Sequence, residues 1–318
     1  MAITGIGSGL DISSIVSALV NADGAPKTAQ LNRLEKATTE KFTALGAFRG
    51  ALSTFQDTLK NLSSAETYEK RTAISGDSSL FSVKADAKAG AGNYSVQVFN
   101  LAQTSKVALR GVDDPAAEIG TGTMTIAAGD KSFSIDVSEN NNSLTGIRDA
   151  INAAGKDSGI SATIVTDPSG TGGSRLVLSS SASGTGNDVS VTVSTDAGDT
   201  GDLSVLAFTP PATTDFEPVE PADPREPKVI SYARDASIAI DGITISSDTN
   251  TIDDAIEGVT ITLNKAQAQE ELDAANTVSL AVGADKAGVK KSLQSFVDAY
   301  NKMMSTTNSL TSVTEVGG

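Results

Sequence analysis

The chain has 318 residues, length for two or three domains, and its net charge of −15 comes from 39 acidic against 24 basic residues. It has no cysteine and no histidine, which excludes a disulfide framework, thiol chemistry, a Ser-His-Asp triad, imidazole base catalysis and the usual zinc ligand sets. Hydrophobic residues make up 39%, aromatics only 4%, and tryptophan is absent, a composition suited to small β domains with modest cores rather than one large catalytic domain.

Through Arg71 eight basic residues meet seven acidic ones, so the negative excess falls on the remainder. An acidic middle repels phosphates, which argues against nucleic acid and against anionic membrane surfaces. Solvation is the simpler reading of the acidity. The first residues carry neither a basic n-region nor a long apolar run, and no segment is long and apolar enough to span a bilayer. An extracellular protein of this sequence is therefore expected to leave by a route that does not read a cleaved signal.

Residues 1–11 are Gly-rich and read as mobile. Gly5, Gly7 and Gly9 follow no strand and lack the spacing of a dinucleotide fingerprint. Asp11 is placed to cap a short helix whose apolar face is Ile12, Ile15, Val16, Leu19 and Val20, stopping near Asp23-Gly24. Pro26 suits the first turn of a second helix running to about residue 64. Its three- and four-residue steps pass through Leu31, Leu34, Thr38, Lys41, Leu45, Phe48, Leu52, Phe55, Leu59 and Leu62. Eight of these ten are Leu or Phe, the rhythm that keeps one seam of a helix against a partner. Gly46 and Gly50 each weaken the helix by about 1 kcal/mol, so packing must decide it.

From about Phe81 the period falls to two. Phe81, Val83 and Ala85 alternate, Ala89 to Asn93 turns, and Tyr94, Val96 and Val98 alternate back, which predicts a hairpin. Segments 123–126 and 132–137 flank Gly129-Asp130 as a second hairpin. Ser143 caps a predicted short helix with Leu144, Ile147 and Ile151 inward, ended by Gly155. Strands are expected at 160–165 and 175–178 around Pro168, and through Val189, Val191 and Val193. Six of nine prolines fall between Pro210 and Pro227 among acids, an extended acidic linker or surface loop. Segments 237–240 and 243–245 flank Asp241-Gly242 as a further hairpin. One or two helical turns are expected at 252–257, then strands at 259–263 and 278–282. Asp285 caps a returning helix with Val289, Leu293, Phe296, Tyr300, Met303, Thr307 and Leu310 on the seven-residue rhythm.

The fold class implied is α+β, with long coiled-coil-type terminal helices forming a stem and two discontinuous β-rich domains, one inserted in the other. Residues 1–42 form a terminal segment with the short amphipathic helix. Segments 43–77 and 285–318 make the stem, 78–112 and 229–284 one β domain, and 113–228 the inserted one. The seam from Leu45 onward is expected to fold against the returning helix. The helix 12–22 and the start of the next one have no such partner here and are expected to contact the absent C-terminal segment or neighbouring subunits.

These features together resemble the flagellar hook-associated protein 2, or filament-capping, family. The carriers are Gly5-Ile6-Gly7-Ser8-Gly9-Leu10-Asp11-Ile12 with the two helices after it, Gly92-Asn93-Tyr94-Ser95-Val96-Gln97-Val98 followed by Leu101-Ala102, and Ala236 to Leu263 with Asp241-Gly242 and Gly258-Val259-Thr260. Phe296-Val297-Asp298-Ala299-Tyr300-Asn301 is similar to the start of the family's C-terminal helices. Ser143 to Ser179 is similar to a module of flagellin-like axial proteins. Members of the family continue past the equivalent of Gly318 with further helix, and the chain is expected to be a shortened form. The Pro-rich stretch 210–227 maps to no family motif.

The resemblance implies a secreted, non-enzymatic protein at the filament tip. Several copies would form a ring with terminal helices as legs and β domains as plate. Partners implied are further copies of itself, flagellin, neighbouring hook-associated proteins, and the export apparatus with a chaperone, with no nucleic acid and no membrane insertion. A secondary adhesion role, another axial or junction protein, and a surface adhesin are the alternative readings. No catalytic, cofactor or metal site is assigned. Asp248, Asn250, Asp253 and Asp254 match a calcium loop loosely, with Asp253 where glycine belongs, and are read as helix capping. Asp196, Asp199 and Asp202 are read as a solvated turn.

Overall fold

The computed structural model describes residues 11–198, 201–213 and 215–311. They divide into two compact units, one built from the chain up to Lys70 and from Asp285 onward, the other from Arg71–Ala284.

The first unit opens with α1 (Ile12–Ser63), a single helix of 52 residues, followed by α2 (Ala65–Glu69). The expected break at Asp23-Gly24 with a restart at Pro26 does not form. Pro26 lies inside the helix and takes the amide donor away from the Ala22 carbonyl. Ala22 and Pro26 are both exposed, so water can serve that carbonyl. Ala22, Ala25, Lys27 and Ala29 around it are strong helix formers. α1 ends at Ser63, close to the expected residue 64, and Arg71–Ser75 of the segment assigned to the stem is strand.

The second unit contains β1 (Arg71–Ser75), β2 (Phe81–Ala85), β3 (Gly92–Asn100), β4 (Thr104–Ala108), β5 (Gly122–Ala128) and β6 (Lys131–Val137), then helix α3 (Leu144–Ala154). It continues with β7 (Ile160–Thr166), β8 (Ser174–Ser183), β9 (Val189–Thr195), β10 (Lys228–Ser231), β11 (Ala236–Ile240), β12 (Ile243–Ser247), β13 (Thr251–Ile256), β14 (Val259–Leu263), the short α4 (Gln269–Asp273) and β15 (Val278–Ala284). The chain then re-enters the first unit as α5 (Lys286–Thr311).

Sheets of order β1-β15-β3-β11-β12 and β13-β14-β2 enclose one core, with Phe81, Val96, Ile238, Ile252, Ile261 and Leu280 buried between them. We call this the outer β body. Sheets of order β10-β4-β8-β7 and β6-β5-β9, with α3, enclose a second core around Met124, Ile126, Ile147, Ile151, Leu176 and Leu178. Every strand pairing among the described residues is antiparallel. Val107, Leu109, Val229 and Tyr232 belong to the second core. The chain therefore crosses between the cores at 101–103 and 232–235.

The helix α3 forms as its pattern predicts. Ser143 Oγ accepts the Gly146 amide at 3.3 Å, and Leu144, Ile147 and Ile151 are fully buried. Asn152 then ties the helix to β7, donating to the Ala162 carbonyl at 2.9 Å and accepting the Ala162 amide at 2.8 Å. Gly146 sits so close to the Asn141 backbone that a Cβ would fall within 2.6–2.8 Å of it.

Two expectations fail in this unit. β2 and β3 are not a hairpin: β2 pairs with β14, while β3 lies between β15 and β11. Both alternating runs are real, but they cover the same core from opposite sheets. Residues 252–257 are not helical either. Ile252 is buried and opposite Ile261, Ile256 is opposite Val259, and the register shift between them absorbs Asp253 and Asp254 on the exposed side. A ladder partner and a core place for Ile252 outweigh the helical Ile252–Ile256 spacing. The Pro-rich stretch is a surface loop of the inserted body. Arg110 pairs with Glu226, Arg225 with Asp113, and Lys228 with Glu220 at 2.9 Å, and Phe216 packs against the second core.

Candidate assembly surface on the helical unit

The helix α1 starts where its sequence says it should. Asp11 Oδ1 accepts the amides of Ser13 and Ser14 at 3.1 Å each and the Ser13 hydroxyl at 2.7 Å. These bonds, the Ser13 hydroxyl first, hold the Asp11 carboxyl below its ordinary value of 3.8. A carboxylate with a depressed pKa supports the helix fully above the ordinary value and loses that support as pH falls below it and through the lowered value of the folded helix. Protection of the Ser13 and Ser14 amides, relative to the intrinsic exchange rate at each pH, is therefore expected to fall below about pH 4. Asp11→Ala should show that low protection at every pH.

α5 starts the same way, with the Gly288 amide donating to Asp285 Oδ1 at 2.7 Å and the Val289 amide to its carbonyl at 3.1 Å. It runs antiparallel to the second half of α1. Residues 41–48 of α1 share a groove with 307–311, and Phe55 meets Phe296 and Tyr300. Ring centroids are 5.4 Å apart for Phe55–Phe296 and 6.1 Å for Phe55–Tyr300, both tilted.

The covered positions show how the seam is built. On α1 they are Ala44, Phe48, Ala51, Phe55, Thr58 and Leu62; on α5 they are Val289, Ser292, Phe296, Ala299, Met303 and Thr306. Large and small residues alternate along both helices. Ala51 and Ala299 are the most covered, at 7% exposure each. Small side chains let the backbones approach, and the large ones fill the spaces between. The seven-residue rhythm holds, but its phase places only half of the predicted seam inside. Phe48, Phe55, Leu62, Val289, Phe296 and Met303 are covered. Leu52 and Thr307 are half-buried on the shoulder, while Leu45 (65%), Leu59 (46%), Leu293 (47%), Tyr300 (45%) and Leu310 (42%) are exposed. The missed residues carry a signal of their own: Ala44, Ala51 and Thr58, like Ser292, Ala299 and Thr306, recur every seven positions.

Leu45, Leu59, Leu293 and Tyr300 share a side. Each follows a small seam residue by one position, and in an antiparallel pair those positions of both helices flank the same edge of the seam. A groove of about 510 Å³ on that edge contains Leu45, Phe48, Thr307 and Leu310. The opposite groove is lined instead by Ala47, Gly50, Thr54, Ser295, Asp298 and Lys302. Ahead of the seam Ile12, Ile15, Val16, Leu19, Leu31 and Leu34 are all at least 44% exposed, with no packing partner among the described residues. Exposed apolar side chains thus recur in groups along α1, at 12–20, 31–34 and 45–59, and are joined by Leu293, Tyr300 and Leu310 of α5.

The acidic residues weighed in the sequence have other places in the described structure. Asn250 is taken by the backbone of Ala102, accepting its amide at 2.8 Å and donating to its carbonyl at 3.0 Å. Asp253 and Asp254 lie on β13, where there is no helix to cap. Asp202 accepts the Ser204 amide at 3.1 Å. Gly5, Gly7, Gly9 and Asp199 lie outside the described residues. Among the described residues no three His, Cys, Asp or Glu are placed to hold a metal ion, and no helix is long and apolar enough to cross a membrane.

Comparison with known proteins gives three family matches: flagellar hook-associated protein 2 N-terminus at residues 8–105, the flagellin hook IN motif at 123–182, and flagellar hook-associated protein 2 C-terminus at 233–317. The chain is 41% identical over 316 residues to the B-type flagellar hook-associated protein 2 of Pseudomonas aeruginosa, covering 98% of this chain and 64% of that protein. Against the flagellar hook-associated protein 2 of Aeromonas caviae identity is 32% over 320 residues, 98% of this chain and 63% of that one. The chain thus spans less than two thirds of these relatives. Among solved structures, FliD (HAP2) of Pseudomonas aeruginosa PAO1 superposes with a TM-score of 0.63 at 39% identity, over 75% of this chain and 99% of that chain. The D1-D2-D3 domains of the Escherichia coli flagellar cap protein FliD superpose with a TM-score of 0.63 at 29% identity, over 85% and 70%.

Proposed function

Because the chain belongs to the flagellar hook-associated protein 2 family, we propose that it is a secreted structural protein that caps the distal end of a bacterial flagellar filament. There it promotes ordered insertion of flagellin and prevents its loss. The observation that carries this reading is the likeness to the Escherichia coli flagellar cap protein over 85% of this chain. It works as one copy in a homo-oligomeric ring, beside other hook-associated proteins, and reaches its place through the export apparatus with a chaperone. No reaction is assigned to it.

These exposed apolar groups fit that work. Exposed Leu and Ile on a helix gain roughly 1.5–3 kcal/mol per side chain when a partner covers them. We assign Ile12, Ile15, Val16, Leu19, Leu31, Leu34, Leu45, Leu52, Leu59, Leu293 and Tyr300 to helix contacts between copies at the tip. The seam residues Phe48, Phe55, Leu62, Phe296 and Met303 hold the surface in shape. Immuno-electron microscopy with an antibody against residues 113–228 tests the reading on the flagellated strain of origin. A single label at each filament tip is expected. Label along the filament, at its base or over the cell body rejects the cap and leaves another axial protein or an adhesin.

A further inference from the structure

The two crossings between the β cores pair with each other. The Gln103 amide donates to the Arg234 carbonyl at 2.9 Å and the Arg234 amide to the Gln103 carbonyl at 3.2 Å, an isolated bridge between the β3–β11 and β4–β10 ladders. A two-stranded ribbon twists and bends easily, so alone it leaves the orientation of the inserted body soft. A third contact lies beside it. The β8–β9 connection of the inserted body reaches Asp235, at the foot of β11. Asp235 Oδ1 accepts the Thr185 amide at 2.7 Å, and its Oδ2 accepts the Ser246 hydroxyl of β12 at 3.0 Å. Asn100 donates to the Asp235 carbonyl at 2.7 Å and fixes its backbone. Ser183 Oγ donates to the Asp248 carbonyl at 2.6 Å. Gly184, at φ +98°, fits between the two bodies only without a side chain: a Cβ there would be 2.7 Å from Asp248 Cβ.

We propose that Asp235 is a positioning residue whose carboxylate, by joining Thr185 of the inserted body to Ser246 of the outer one, locks the two β bodies in one orientation. The lock belongs to the β unit itself and does not depend on what the chain assembles with. Its consequence is that force applied to the inserted body reaches the outer body without being absorbed at the crossings.

The chain has no cysteine, so Ser132→Cys and Thr244→Cys place one spin label on an exposed site of each body. Pulsed electron paramagnetic resonance on the full chain is expected to give one narrow distance distribution. Asp235→Ala should broaden it at least about twofold, with amide exchange at Ile126 and Ile238 unchanged. Asp235→Asn should stay narrow, since its amide oxygen still accepts from Thr185. A distribution in Asp235→Ala as narrow as in the parent overturns the proposal. If Asp235→Ala loses exchange protection in either core, Ser246→Ala decides, because it deletes only the hydroxyl that ties the Asp235 carboxylate to β12 of the outer body. Broadening there supports the lock, and an unchanged width overturns it.

Discussion

Phe55→Ala is expected to destabilise the helical unit by about 2–3 kcal/mol and to leave both β cores as they are. Phe55 touches the two large aromatic side chains of α5 at once, with ring centroids 5.4 Å from Phe296 and 6.1 Å from Tyr300. Truncating a fully buried Phe costs about 3–5 kcal/mol, and an aromatic pair adds about 0.5–1.5 kcal/mol beyond its area. Phe55 is half-buried, which places the expected loss at the lower end. The neighbours cannot refill the gap, because Ala51 and Thr58 on α1 and Ala299 on α5 are small. Circular dichroism at 222 nm should show helix lost at lower temperature, while amide exchange at Ile126 and Ile238 holds. An unchanged helical transition would mean that the α1–α5 contact does not hold the unit together.

Much of this was legible in the residues, and the misses share a cause. Hairpins at 122–137, 160–183 and 236–247 follow from alternation around Gly129-Asp130, Pro168 and Asp241-Gly242, all local signals. α3 follows from Ser143, three buried aliphatic residues and Gly155. Sheet assignment does not follow, since nothing local tells Phe81-Ser82-Val83 to pair with Thr260-Ile261-Thr262 rather than with the next alternating run. At 252–257 a helical spacing of two isoleucines was genuine, and a non-local ladder overrode it. The seam shows the same limit from another side. A count of apolar residues finds the period of seven but fixes the phase by size, selecting Leu45, Leu52 and Leu59. The packed phase is set by where small residues let two backbones approach, at Ala44, Ala51 and Thr58. Leucine marks a face that some helix covers, and alanine marks the face this helix covers here.

That division yields the sharper prediction. Leu45→Asp with Leu59→Asp is expected to leave the helical unit folded and to abolish self-association and incorporation at the filament tip. Both leucines are exposed, at 65% and 46%, so within the folded chain their loss costs little beyond a helix-propensity difference of about 0.5 kcal/mol each. Within an assembly the same two side chains would each contribute roughly 1.5–3 kcal/mol of burial, and an aspartate left in an apolar contact adds a desolvation penalty. A loss of about 3 kcal/mol or more weakens association at least about a hundredfold. The opposite groove supplies the control. Thr54→Asp adds a charge to the edge lined by small and polar residues, and it is expected to assemble like the parent. Helicity by circular dichroism, self-association by sedimentation velocity, and tip labelling in cells complemented with each variant separate the cases. Normal tip labelling with Leu45→Asp and Leu59→Asp would sink these leucines as an assembly surface and leave the seam intact. Loss of helicity in that variant would mean that the leucines serve the fold of this chain after all.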